Sequence, residues 1–441
     1  MSRLGRPVTV WLGSVPPWVL ATYAIAASFS TYFCMYAFRK PFAAATFEDQ
    51  YFLGTTFDLK VALVISQIIG YTISKYVGIK VCSEITPNRR AVLLVVLILA
   101  AESALLLYGA VPNQFKVVAI FLNGLPLGMV WGLVVWYLEG RRISEVLLAG
   151  LSCSFILASG VVKNVGQWLM GTYHVSEGWM PAATAALFLL PFLVAVWLLN
   201  QVPKPTQQDE RARTHRQPMD RAERVAFFKQ FLGGLLLLLI AYFFLTAYRD
   251  YRDNFQVNLF DALDYPHAQN KVIITQTETI VMFGVMVPLA LLFLIKNNWY
   301  GLIGTFAIMT TGVLILGVST WAMEAGWIDG FWWMTLTGLG AYLAYVPYGS
   351  VLFDRLIAST HMAGTAVFAI YLMDAVGYSG SILVLLYEKF AYSADKVEGT
   401  TLLGFFIDFT YFMSILGAIM LVSSAIYFTR TQKHERGKNR R

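Results

Sequence analysis

Long apolar stretches separated by short polar ones set the pattern of this chain. A helix needs about 20 mostly apolar residues to cross the ~30 Å hydrocarbon core of a bilayer. Twelve segments qualify: 18–44, 59–80, 91–110, 115–138, 146–171, 180–200, 229–251, 271–295, 300–323, 330–353, 362–388 and 402–428. One long polar segment interrupts them at 201–228, where Pro203, Pro205 and Pro218 sit among many charges. It divides the spans six and six. The pattern predicts an all-α integral membrane protein with a six-helix bundle over 1–200, a linker over 201–228, a second bundle over 229–428 and a basic tail over 429–441.

Composition agrees with this. Of 441 residues, 57% are hydrophobic and only 13% are charged, where a soluble domain carries about 25% charged residues. Soluble enzymes, secreted disulfide scaffolds and disordered chains are set aside by that shortfall. The net charge of +7 invites a polyanion partner, but its placement explains it otherwise. The N-terminus, one set of loops, the central linker and the C-terminal tail hold 22 of the 33 Lys and Arg, including Arg89, Arg90, Arg141, Arg221, Arg224 and Lys433. The opposite loops are acidic, with Glu48, Asp49, Asp58, Asp261, Asp264, Glu324 and Asp329. By the positive-inside rule, both termini and the linker are expected in the cytoplasm, in a multi-pass protein of the inner or plasma membrane. Nucleic acid is not needed as a partner; the lipid bilayer is. Cys34, Cys82 and Cys153 show neither a disulfide framework nor a metal-ligand spacing.

The two halves echo each other. Tyr36-Ala37-Phe38-Arg39-Lys40-Pro41-Phe42 closes the first span, and Arg249-Asp250-Tyr251-Arg252-Asp253-Asn254-Phe255 closes the seventh, which sets Arg252 opposite Arg39. The second span opens Lys60-Val61-Ala62-Leu63-Val64-Ile65-Ser66-Gln67 and the eighth opens Lys271-Val272-Ile273-Ile274-Thr275-Gln276-Thr277-Glu278. Such self-similarity is the mark of transporters built from repeats, and twelve helices in two related sixes is the major facilitator architecture, with its site near the midplane between the halves.

Charges inside apolar sequence are the informative residues, because each costs at least ~2.5 kcal/mol at the bilayer centre unless it faces a wet cavity or a partner. Arg39, Lys75, Lys163, Arg249 and Arg252 are the cations. Snorkelling is the bland reading for Arg39 and Lys75. An ion pair with Asp253, one helical turn on, is the bland reading for Arg249. Glu278 and Asp374 are the matching acids, read either as partners of these cations or as proton sites. If Arg39, Lys75 and one of Arg249 or Arg252 converge, the cavity suits a multiply charged tetrahedral anion, because guanidinium forks give two parallel charge-assisted bonds to an oxyanion. Tyr32, Tyr36, Tyr71, Trp131, Trp136, Tyr248, Tyr345 and Tyr371 supply aromatic lining or, equally, ordinary packing. Gly124, Gly128 and Gly132, spaced by four, let two helices approach closely.

Several strings resemble the organophosphate:phosphate antiporter family, which includes glycerol-3-phosphate and hexose-phosphate transporters. Tyr36 to Phe42 is similar to its first-helix Arg-Lys-x-Phe, and Ser74-Lys75-Tyr76 to its second-helix Ser-Lys-Phe. Phe121-Leu122-Asn123-Gly124 with Gly128-Met129-Val130-Trp131 is close to its fourth-helix pattern. Ala363-Gly364-Thr365-Ala366 and Gly377-Tyr378-Ser379-Gly380-Ser381 look like its eleventh-helix strings. The resemblance implies that Arg39, Lys75 and Arg249 bind substrate, with Arg252 as the rival to Arg249, and that Glu278 matches an eighth-helix glutamate. The chain departs from the family in having Ser159, with Lys163 one turn on, near the place of a fifth-helix histidine. Asp250, Asp253 and Asp374 are additions.

The resulting expectation is a secondary transporter, not an enzyme, that exchanges an organophosphate for inorganic phosphate by alternating access. An unmatched positive cavity would resist closing and so enforce exchange. No cofactor is expected, and a monomer is the expected unit. Proton-coupled transport of a sugar acid or sulfonate, and a non-transporting sugar-phosphate sensor, are the other readings.

Overall fold

The computed structural model describes residues 6–55, 57–139, 141, 143–206, 221–266, 269–270, 272–360, 366–392 and 401–438. The linker segment 207–220, Lys271 and the 363–365 string lie outside the described residues, as do the side chains of Glu84 and Tyr371. The first half contains α1 (Arg6–Ser14), α2 (Pro17–Tyr36), α3 (Leu59–Glu84), α4 (Pro87–Ala110), α5 (Asn113–Leu127), α6 (Val130–Leu138), α7 (Ser144–Tyr173) and α8 (Met180–Leu199). The second contains α9 (Arg221–Ala262), α10 (Ile273–Phe293), α11 (Asn298–Glu324), α12 (Gly330–Ser350), α13 (Leu352–Thr360), α14 (Ala366–Tyr387) and α15 (Thr401–Lys438).

Among the described residues, ten helices are long and apolar enough to cross a membrane, with α5 and α6 together forming one span. There are eleven when α12 and the following helix, bent by 50°, count as one. Helix α14, 22 residues long, occupies the place of the eleventh expected span. Each expected segment therefore has its helix, and the chain is a multi-pass membrane protein.

The breaks have local causes. The first span is expected to run to residue 44, but α2 stops at Tyr36 and Pro41–Ala44 form a 3₁₀ turn. Pro41 lacks an N–H and so cannot donate to the Ala37 carbonyl, which ends the α-helical ladder there. Its counterpart in the second half is Asn254, which imposes no such stop, and α9 runs on to Ala262. The repeat is thus broken at the residues that carry the charge. A second break follows Pro347, where Val351 leaves the helical region and α13 turns away.

Close approach fixes α3 against α5. A Cβ on Gly124 would lie 2.4 Å from the Gln67 carbonyl oxygen, and one on Gly128 would lie 2.5 Å from that of Tyr71. These two glycines do the packing work expected of their spacing. Between the halves, α7 packs on α10 and α12, and α3 packs on α14.

Candidate functional site

The turn that ends α2 leaves backbone carbonyls without helical partners, and two amides take them up. Gln67 Nε2 donates to the Arg39 carbonyl at 2.9 Å, and Asn123 Nδ2 donates to the Phe38 carbonyl at 3.0 Å. Gln67 Nε2 also donates to Asn123 Oδ1 at 2.8 Å, so α3 and α5 together hold the turn. Arg39 is buried in this turn, 3% exposed. Its guanidinium lies 4.0 Å from the centroid of the Tyr71 ring, 5.7 Å from that of Tyr378 and 5.9 Å from that of Tyr36. Among the described residues it makes no ion pair, and its Nε has no hydrogen-bond partner.

Beside it is a cavity of about 30 Å³, enough for about two waters. Tyr32, Tyr36, Tyr71, Lys75, Trp131 and Phe155 line one side; Tyr242, Arg249, Tyr345, Asp374 and Tyr378 line the other. The rings form a continuous aromatic wall, with Tyr32 on Trp131 at 4.8 Å, Trp131 on Phe155 at 5.8 Å and Phe155 on Tyr345 at 6.2 Å. Tyr71 and Tyr378 meet across the halves at 4.9 Å.

The cations that line the cavity are matched by carboxylates. Lys75 Nζ pairs with Asp374 Oδ2 at 2.9 Å across the halves, and the Tyr242 hydroxyl donates to Asp374 Oδ1 at 2.5 Å. Arg249 pairs with Asp250 Oδ1 at 2.6 Å, donates to the Tyr378 hydroxyl at 3.3 Å and lies 4.3 Å from the Tyr345 centroid. Ser381 Oγ holds the other Asp250 oxygen at 2.8 Å. The Arg249–Asp253 pair read from helical spacing is not made, because Asp253 is taken by the other half. It pairs with Lys40 at 2.5 Å and Lys163 at 3.0 Å, and also accepts from Ser159 Oγ. Lys163 Nζ donates further to Gln256 Oε1 at 2.7 Å.

Arg252 points elsewhere. It pairs with Glu278 at 2.8 Å and donates to the Met334 carbonyl at 2.8 Å. Gly338 makes the slot for it, since a Cβ there would lie 2.5 Å from Nη2. Of the expected site residues, the structure gathers Tyr36, Tyr71, Lys75, Trp131, Arg249 and Asp374 around the cavity, with Arg39 behind the Tyr71 ring. Lys163, Arg252 and Glu278 belong to the interface network between α7, α9 and α10 instead. Trp136 faces Arg90, and Tyr248 bonds Thr410 within the second half. Tyr242, Asp250 and Tyr378 are cavity or partner residues that the sequence reading did not single out. Tyr378 falls within Gly377-Tyr378-Ser379-Gly380-Ser381, and Asp250 is one of the residues added to the family pattern.

Helices paired this way around a central charged cavity define the major facilitator fold, which the solved structures bear out. A crystal structure of a D-xylose–proton symporter superposes with a TM-score of 0.62 at 14% identity, covering 92% of this chain and 97% of its own. The nucleoside transporter NupG gives 0.57 at 15% identity, covering 92% and 98%. No curated protein sequence matches. The chain belongs to the family described as DUF5690, a family of unknown function, whose model matches residues 41–431.

Proposed function

We propose that the chain is a secondary transporter of the inner or plasma membrane that moves a small polar anion by alternating access. Organophosphates and inorganic phosphate are the first substrates to test. The observation that supports this most is Arg39, a buried guanidinium whose neighbours are tyrosine rings and which makes no ion pair among the described residues. A buried cation without a matching charge is costly, and an oxyanion in the adjoining cavity supplies that charge. Arg249, from the other half, lines that cavity, while Arg39 lies against the Tyr71 ring of its wall. An anion reaching both arginines draws the halves together, and it drives the cycle to the extent that it binds the closed state more tightly than the open ones. Ligand pockets are about 300–1,000 Å³. The cavity must therefore widen as either end opens.

The test is uptake of radiolabelled phosphate into proteoliposomes loaded with unlabelled phosphate. Uptake well above that of protein-free vesicles, and lost in Arg39→Ala, is the expected result. Uptake unchanged in a correctly inserted Arg39→Ala protein would sink the assignment. A second reading, proton-coupled anion transport, is favoured by the Lys75–Asp374–Tyr242 group in the cavity wall. Uptake that follows an imposed pH gradient without internal phosphate selects it.

A further inference from the structure

Lys75 and Arg249, the two cations that line the cavity, are neutralised by carboxylates of the protein itself. Asp374 is fixed by the Tyr242 hydroxyl and Asp250 by Ser381 Oγ, so both acids are held in place. The halves are joined at both ends in the same arrangement. Arg355 pairs with Glu145 at 2.9 Å at one end, and Lys389 pairs with Asp58 at 2.6 Å at the other. Arg39, which does not line the cavity, is cushioned by three tyrosine rings. With both ends closed, the cations that line the cavity are therefore balanced by carboxylates of the protein itself, while Arg39, which lies off the lining, is not.

We infer that Asp250 and Asp374 are internal stand-ins for the transported anion, which let the halves close and reopen without one, so that the carrier performs net transport as well as exchange. This rests on the anion-transport reading above. A strict exchanger needs the opposite design, in which the cations lining the cavity lack partners and block closure until an anion arrives. Here each carboxylate holds a cavity cation until the anion competes for it. Asp250 and Asp374 are positioning residues in this scheme, acting through Arg249 and Lys75.

The experiment measures two rates in one batch of proteoliposomes with radiolabelled phosphate: uptake into phosphate-loaded vesicles and uptake into vesicles free of phosphate. Their ratio cancels differences in insertion. The wild type is expected to take up phosphate in both, and Asp250→Asn is expected to lower the ratio of net uptake to exchange by about tenfold or more, as a buried cation loses its partner. Asp374→Asn, on a different helix and facing Lys75, should act in the same direction. A wild type that takes up phosphate only into loaded vesicles overturns the inference while leaving the anion-transport reading standing. Variant ratios equal to the wild-type ratio also overturn it. A wild type that moves no anion in either format overturns the reading beneath it, and the inference with it.

Discussion

At the scale of single residues, the interface between the halves is a set of buried ion pairs whose members depend on one another. Asp253 holds Lys40 and Lys163 at once, with Asn254 and Gln256 completing their shells at 2.9 and 2.7 Å. Breaking a buried pair costs about 3–5 kcal/mol because the partner stays buried and uncompensated. Asp253→Asn should therefore be the most destabilising carboxylate-to-amide change in the core, since it strands two lysines where Asp250→Asn strands one arginine. Thermal unfolding in detergent measures this, and equal losses in the two variants would contradict it. The sequence made Arg39, Lys75 and Arg249 legible because charges in apolar helices are few. It did not disclose their partners. Helical spacing favours an i,i+4 pair between Arg249 and Asp253, whereas the structure pairs Arg249 with its neighbour Asp250. That choice is made by Lys40 and Lys163, which come from another half of the molecule and are about 90–210 positions distant in sequence.

At the scale of elements, helix ends and helix contacts place the site. The spans were legible from hydropathy alone, whereas their ends depended on Pro41 and on the two amides that cap the turn after it. Gly124 and Gly128 admit the α3 backbone, which carries Gln67, Tyr71 and Lys75. Gly124→Leu should separate α3 from α5, loosen the Arg39 turn and cost about 1–3 kcal/mol or more from overpacking. Gly171→Ala is the control. It lies in α7 with nothing within 4 Å of an added Cβ, and alanine's higher helix propensity should make it neutral or stabilising by up to about 1 kcal/mol. Unfolding midpoints of the two variants test the contrast. A Gly124→Leu protein as stable as Gly171→Ala would remove the close approach from the account.

At the scale of the whole molecule, the proposed transport requires that the two closures at its ends release in turn, and the structure makes them unequal. Lys389 and Asp58 are 22% and 46% exposed, so their pair is worth about 0.2–1 kcal/mol. Arg355 is far more buried, at 6%, and besides Glu145 it donates to the Ile295 carbonyl and to Asn298 Oδ1, each at 3.0 Å. Those two acceptors lie in the same half as Arg355 and hold its guanidinium in place, so the bond across the closure is the charge-assisted one to Glu145, worth about 1.5–3 kcal/mol. Removing Arg355 should thus shift the population toward opening at its own end by about tenfold or more, while removing Lys389 should shift it the other way by less than about fivefold. Ser152 lines the cavity and gives the readout. In a chain whose three cysteines are replaced by Ala, Ser152→Cys is labelled with a membrane-impermeant thiol reagent added from one side at a time. Arg355→Ala should speed labelling from the side bearing Arg355, which is expected to be the cytoplasmic one from the distribution of Lys and Arg, and slow it from the other. Lys389→Ala should produce the smaller, opposite change. If both variants altered labelling equally from both sides, the two pairs would be surface contacts with no part in closure, and alternating access would have to be controlled by the Asp253 and Asp374 bridges between them.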